Sequence, residues 1–144
     1  MTTVSVPKDA LAWSLFGLRL GVFVVLAMWT LNKFINPAGT AAVFQGFYGI
    51  PGLSEIASFA IGALQGSVII AFLIGFQKRW ATAIVFIMHL ISTLSSAARY
   101  LDPWTSPNLL FFAAWPMLTA IIALYVLRDY DTRFSLGAPG PTKA

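Results

Sequence analysis

Residues 11–32 read LAWSLFGLRLGVFVVLAMWTLN, and this stretch decides the class of fold because Arg19 is its one ionisable residue. A helix that crosses a hydrocarbon core of about 30 Å needs about 20 predominantly apolar residues. Three further apolar stretches follow, at residues 53–76, 80–98 and 108–127. Because backbone polar groups in a bilayer must be paired within the chain, we predict an all-α integral membrane protein whose four spans pack as a four-helix bundle.

The composition of the chain also indicates a membrane protein. Hydrophobic residues make up 58% of the 144 residues and charged residues 10%, against about 45–50% and about 25% in soluble domains. The chain contains no cysteine, which excludes disulfides, thiol nucleophiles and CxxC redox chemistry. Its basic residues are scattered, so no nucleic-acid partner is expected. We expect one domain over residues 1–134 with the lipid bilayer as its solvent, and a flexible cytoplasmic tail over 135–144.

The distribution of Lys and Arg predicts the orientation of the spans. Six of them lie in the N-terminal segment, the second loop and the tail, namely Lys8, Lys78, Arg79, Arg128, Arg133 and Lys143. The other two loops contain Lys33 and Arg99. Because basic residues concentrate on the cytoplasmic side of membrane proteins, both termini are expected there.

The first outer loop, between Lys33 and Gly52, contains a short amphipathic segment. It follows Asn36-Pro37, which is a typical helix start. Four large side chains then fall on one face at helical spacing, namely Val43, Phe44, Phe47 and Tyr48. This pattern predicts a short helix lying in the membrane interface. The helix could serve as an anchor or as a lid over a cavity between the spans.

Polar side chains within the spans predict an interior site, because hydrocarbon cannot satisfy them. The predicted ligand-binding residues are Arg19, Gln65, His89, Trp115 and Thr119. With a rise of about 1.5 Å per residue, the first three are expected in one layer. No carboxylate is expected in that layer. Arg19 therefore either snorkels inward or bonds to neighbouring dipoles, Gln65 among them. Alternatively it holds an electron-rich ligand such as a quinone carbonyl, or a carboxylate from another subunit.

Other polar residues are assigned to packing or to the outer edge. Ser58, Gly62 and Gly66 recur every four residues and predict a close-packing face on the second span. Ion pairs at the outer edge are expected among Lys33, Glu55, Arg99 and Asp102. A single histidine without cysteine cannot form a metal or haem site, so we predict no metal, no covalently bound cofactor and no catalytic residue.

Several short motifs occur in a fixed order between about residues 11 and 130. They are Leu18-Arg19-Leu20, Lys33, Pro37-Ala38-Gly39-Thr40, Gly49-Ile50-Pro51-Gly52, Gln65-Gly66, Gly75-Phe76 before Lys78-Arg79, and Asn108-Leu109. In this combination the chain resembles the DoxX-like (DoxX/DoxD) family of small four-helix proteins of the bacterial inner membrane. Arg19 matches the first-helix arginine of that family. Gln65 stands where many members carry a glutamate, and this departure removes a carboxylate that could pair with Arg19.

The resemblance implies a small subunit associated with terminal quinol oxidation or thiosulfate:quinone oxidoreduction. We therefore expect an auxiliary or anchor subunit of a respiratory oxidoreductase complex that lines a quinone or lipid site and is not catalytic alone. Its partners would be larger membrane or periplasmic redox subunits, or further copies of the chain. The alternative is a stand-alone quinone- or lipid-binding membrane protein that uses Arg19, Gln65 and His89. A small transporter is disfavoured because no inverted repeat is found.

Overall fold

A computed structural model describes residues 5–137 of the chain. These residues form helices and no β-strand. In chain order the helices are α1 (Lys8–Ile35), α2 (Pro37–Tyr48), α3 (Glu55–Leu73), α4 (Lys78–Ser95), α5 (Ala97–Tyr100), a 3-10 helix (Asn108–Ala113) and α6 (Ala114–Val126).

Three helical segments are long and apolar enough to cross a membrane. They are Lys8–Ile35, Glu55–Leu73 and Asn108–Val126, which occupy the first, second and fourth predicted spans. α4 occupies the third predicted span and is not one of these three, because Lys78, Arg79 and His89 lower its mean hydropathy.

The helix boundaries follow from capping groups that the hydropathy pattern does not report. α3 begins two residues later than predicted because the Ser54 side chain caps it, accepting a hydrogen bond from the Ala57 amide over 3.2 Å. Asn36 caps α2 in the same way, accepting from the Gly39 amide over 2.9 Å. The fourth predicted span changes geometry along its length, from the 3-10 helix to α6.

Four helices surround the apolar core. α1 packs against α3 and α6, and α4 packs against the same two helices from the other side. The core consists of the buried side chains Leu15, Val22, Leu26, Ile69, Phe72, Ala81, Val85, Ile121 and Leu124. Large apolar side chains also cover the outward surface: Ile56 is 80% exposed and Leu64 is 72% exposed. An apolar surface of this extent fits contact with lipid.

The predicted close-packing face of α3 is confirmed, and its partner is α1. Ser58 is buried and donates a hydrogen bond to the Lys33 carbonyl over 2.8 Å. A Cβ built on Gly62 would lie 2.8 Å from the Phe34 ring, so a larger residue there would have to displace that ring. A Cβ on Gly66 would make an ordinary contact at 3.6 Å.

Two features close the opposite ends of these helices. α2 packs against α1, α3 and α4 at one end, and it occupies the loop where a short helix was predicted. At the other end α3 and α4 are joined by a tight turn in which Gly75 and Gln77 have φ of 66° and 47°. Residues 127–137, which we call the C-terminal segment, follow α6 and lie against this turn: the Leu136 amide donates to the Ile74 carbonyl over 2.8 Å.

Candidate functional site

A cavity of about 610 Å³ lies between α1, α4, the 3-10 helix and α6. Its volume falls within the usual range of small-molecule sites. Exposed side chains on facing helices form its rim: Leu18 and Val25 of α1 are 39% and 42% exposed, and Leu110 of the 3-10 helix is 75% exposed. The cavity therefore opens sideways, between α1 and the last helices. Gly17 and Gly21 lie in its wall, and no atom lies within 4 Å of a Cβ built on either.

Two neighbouring cavities adjoin the first one, with volumes of about 440 and about 640 Å³. Trp29 and Ser92 line all three cavities, and Phe44 and Tyr48 of α2 line the second and third. The second and third cavities therefore lie beside α2.

His89 lies in the wall of the first and third cavities and is 7% exposed. Its Nε2 lies 2.9 Å from the Ala114 carbonyl oxygen of α6. A carbonyl oxygen can only accept, so this geometry assigns the Nε2 position a proton. In the neutral ring, Nδ1 is then the acceptor. His89 ties α4 to α6 through one ring nitrogen and keeps a lone pair on the other.

Apart from Trp29 of α1, the remaining polar side chains of the first cavity lie near the C-terminal end of α4 or directly after it. Thr93 Oγ1 donates to the His89 carbonyl over 2.8 Å, and Ser96 Oγ donates to the Ser92 carbonyl over 2.9 Å. Both hydroxyl protons are therefore engaged within the helix, and lone pairs remain on the oxygens. The contributions of α1 and α6 to the wall are almost entirely apolar, and among residues 5–137 no charged side chain lines the cavity.

Arg19 lies elsewhere, in a buried polar cluster at the α3–α4 turn. Its side chain is 2% exposed, and its Nη1 lies 3.2 Å from Oδ2 of Asp131, whose side chain is 4% exposed. Arg19 Nη2 donates to the main-chain carbonyls of Arg133 and Phe134. Lys78 Nζ donates to the Asp131 carbonyl over 3.0 Å. Arg19 thus holds the C-terminal segment against α1 and the turn.

The carboxyl of Asp131 makes only a one-sided contact with Arg19. Oδ2 faces the guanidinium, whereas Oδ1 has no hydrogen-bond partner within residues 5–137. Burial raises the pKa of Asp131, although the charges of Arg19 and Lys78 act to lower it. The pair is therefore a structural tie whose cation makes most of the contacts.

Aromatic and ionic contacts extend this attachment along α1. Arg133 Nη2 lies 2.7 Å from Oδ1 of Asp9. The ring of Phe134 lies 5.0 Å from that of Phe16 and 6.1 Å from that of Trp13, between centroids. Part of the predicted flexible tail, residues 135–137, is thus placed against the helices. Residues 138–144 lie outside the described part of the chain.

Two predictions about Arg19 are wrong. Asp131 supplies the carboxylate that was not expected beside it. Arg19 also does not share a layer with Gln65 and His89, since its guanidinium reaches the α3–α4 turn, where a Cβ on Gly75 would lie 2.7 Å from Nη1. Helical side chains point toward the helix N-terminus, so the guanidinium of Arg19 lies nearer to that end of α1 than its own Cα does.

The other predicted site residues divide into two groups. Gln65 is half-buried and lines the third cavity together with His89. Trp115 and Thr119, by contrast, lie on the outer face of α6: Trp115 is 45% exposed and packs on Tyr100, and Thr119 bonds to the Pro116 carbonyl. Their predicted convergence on the interior site is wrong, because α6 buries a different stripe, namely Leu118, Ile121 and Leu124.

The ion pairs expected at the outer edge do not form within residues 5–137, whose salt bridges are Arg19–Asp131 and Arg133–Asp9. Lys33 Nζ donates to the Trp29 carbonyl over 3.2 Å. The Arg99 guanidinium lies over the Phe47 ring at 5.4 Å. Lys33 is thus engaged with a main-chain carbonyl of its own helix, and Arg99 with an aromatic ring of α2.

The sequence analysis missed several residues that the structure brings together. Asp131 was overlooked because it follows the last helix, although it is a carboxylate close to the basic end of the chain. Trp29, which lines all three cavities, was not among the predicted site residues. Ser92 and Ser96 share a polar face with His89 at helical spacing, which the sequence indicates, but they were not among the predicted site residues.

Comparisons with protein-family models, with curated proteins and with solved structures find no match for this chain.

Proposed function

We propose that this chain is a four-helix membrane protein whose sideways-open cavity binds a lipid-soluble amphiphile, a quinone or a lipid. The observation that carries the proposal is the cavity of about 610 Å³ between α1, α4 and α6, which combines an apolar wall with one polar stripe from α4. Such a wall accommodates an apolar tail, and a few placed polar groups orient a head group. A lateral opening admits a ligand that arrives through the hydrocarbon.

The proposed arrangement in the membrane uses all four long helices. α4 would complete the bundle as the fourth span because its neighbours α3 and α6 shield its polar face. α2 would lie in the interface as a lid, which its position over the second and third cavities supports. Lys78 and Arg133 lie at the end carrying the α3–α4 turn, which the positive-inside rule assigns to the cytoplasm. The membrane would be a bacterial inner membrane.

The resemblance to DoxX-like proteins supports a more specific role. Under this proposal the chain is an auxiliary or anchor subunit of a respiratory oxidoreductase complex, and its cavity forms or adjoins a quinone site. Mild-detergent purification from native membranes tests this role. A larger redox subunit that copurifies in fixed stoichiometry is expected, and a monodisperse chain without any such subunit would contradict it.

Filling the cavity tests the binding function directly. Gly21→Leu places a side chain into the first cavity, where nothing lies within 4 Å of its Cβ. Binding of a decyl-substituted benzoquinone to the purified chain in nanodiscs should weaken by about tenfold or more, because the leucine occupies volume that the probe needs.

Gly46→Leu is the matched control. Gly46 also has nothing within 4 Å of its Cβ, but it lies on the exposed face of α2. The control should bind the probe as the wild type does. Equal binding by wild type and Gly21→Leu would show that the cavity is not the binding site.

A further inference from the structure

We infer that the head group bound in the first cavity is a neutral hydrogen-bond donor, an alcohol or a phenol. This inference rests on the proposed binding function and names the class of ligand. The observation behind it is that most polar side chains of α4 at the cavity already donate their protons to main-chain carbonyls. They can therefore accept a further hydrogen bond but have few protons left to donate.

The hydrogen bonds of the cavity wall establish this asymmetry. The Nε2 proton of His89 is directed to the Ala114 carbonyl, so Nδ1 is the free position of the neutral ring. The hydroxyl protons of Thr93 and Ser96 are directed to carbonyls one turn earlier in α4. Three of the four polar side chains from α4 can therefore only accept a further hydrogen bond while these bonds persist.

The charges of the residues that line the cavity restrict the chemical class of the head group further. In the described part of the chain no Lys, Arg, Asp or Glu lines the first cavity, and Arg19 is engaged with the C-terminal segment at the α3–α4 turn. A carboxylate or phosphate head group would lie in an apolar site without a counter-ion, which is costly. A ketone or quinone carbonyl could use only the donors of Ser92 and Trp29. A hydroxyl head group matches the acceptors instead.

A pair of probes that differ only in the donor tests this inference. Dodecylphenol and its methyl ether, dodecylanisole, have the same ring and tail, but only the phenol donates. Isothermal titration of the full chain in nanodiscs should show the phenol binding about 3- to 10-fold more tightly, the usual effect of one uncharged hydrogen bond.

His89→Phe identifies the acceptor. A phenylalanine ring keeps the approximate shape of the side chain but has no nitrogen, so the Nδ1 lone pair is lost together with the bond to the Ala114 carbonyl. This variant should bind the phenol as weakly as the ether, and an unchanged affinity for the ether shows that the cavity is intact. Equal affinities of the wild type for the two probes, or a preference that persists in His89→Phe, would overturn the inference while leaving the binding function in place.

The same titrations separate failure of the inference from failure of the binding function. If neither probe binds the wild type, the proposed cavity function fails and the inference with it.

Two natural sources supply a donating head group, a reduced quinone and a lipid alcohol. Displacement of dodecylphenol by decyl-hydroquinone but not by didecanoylglycerol would identify the first, and the reverse would identify the second. Displacement by neither would contradict both sources and the inference.

Discussion

Replacing Arg19 by methionine is expected to release the C-terminal segment from the α3–α4 turn. The guanidinium lies 3.2 Å from the Asp131 carboxylate and donates to the main-chain carbonyls of Phe134 and Arg133. A methionine of similar length keeps the apolar stem packed but makes none of these contacts. The expected effect is therefore local, on the residues that follow α6.

The magnitude follows from the contacts that are lost. Hydrogen bonds to charged groups contribute about 1.5–3 kcal/mol each. Protonation of Asp131 offsets part of the loss, since burial already raises its pKa. A net change of about 2–3 kcal/mol in the opening free energy of the segment remains, which corresponds to about 30- to 150-fold faster amide exchange.

Hydrogen exchange measured by mass spectrometry provides the assay. The reporter is the Leu136 amide, which donates to the Ile74 carbonyl over 2.8 Å. Arg79→Met is the matched control, because Arg79 lies at the same end but is exposed, with its guanidinium over the Trp80 ring. The control should leave exchange of the segment unchanged. An acceleration of less than about threefold in Arg19→Met would refute the reasoning.

Three further substitutions test the attachment of the C-terminal segment and the packing of α3 on α1. Asp131→Asn should accelerate exchange at Leu136 far less than Arg19→Met does. The bonds from Arg19 to Phe134 and Arg133 remain in this variant, and burial disfavours the ionised carboxyl in the wild type. An effect as large as that of Arg19→Met would show that the carboxylate dominates the cluster. Gly62→Ala and Gly66→Ala form a matched pair in the close-packing face of α3. Both should gain about 1 kcal/mol in helix propensity, but a Cβ at Gly62 would lie 2.8 Å from the Phe34 ring and one at Gly66 would lie 3.6 Å from Thr30. We expect Gly62→Ala to be the less stable of the two by about 1–2 kcal/mol in thermal unfolding in detergent, and equal stabilities would contradict the close approach of α1 and α3.

Local patterns in the sequence predicted the features that depend on a single helix. Apolar length identified the segments at α1, α3 and the 3-10 helix with α6, and the spacing of Ser58, Gly62 and Gly66 identified the face that packs on α1. The helix that follows Asn36-Pro37 was predicted from its cap. In each case the signal lies within about 20 residues of sequence.

The features that depend on tertiary packing could not be predicted in this way. Asp131 meets Arg19 only because the C-terminal segment folds back over the α3–α4 turn, and no local pattern encodes that return. The rotation of α6 was misjudged because its polar residues were taken to face inward. At about 100° per residue, Trp115 and Thr119 lie about 120–160° from Ile121, at the centre of the buried stripe. In α6 the aliphatic stripe, rather than the polar side chains, marks the face that packs on the core.

A structure of the chain in lipid nanodiscs, determined with dodecylphenol present, would test the binding cavity most directly. The expected result is elongated non-protein density between α1 and α6, with the head group at hydrogen-bond distance from His89 Nδ1. Closure of α1 onto α6 along Gly17 and Gly21, with no space between the helices, would contradict it.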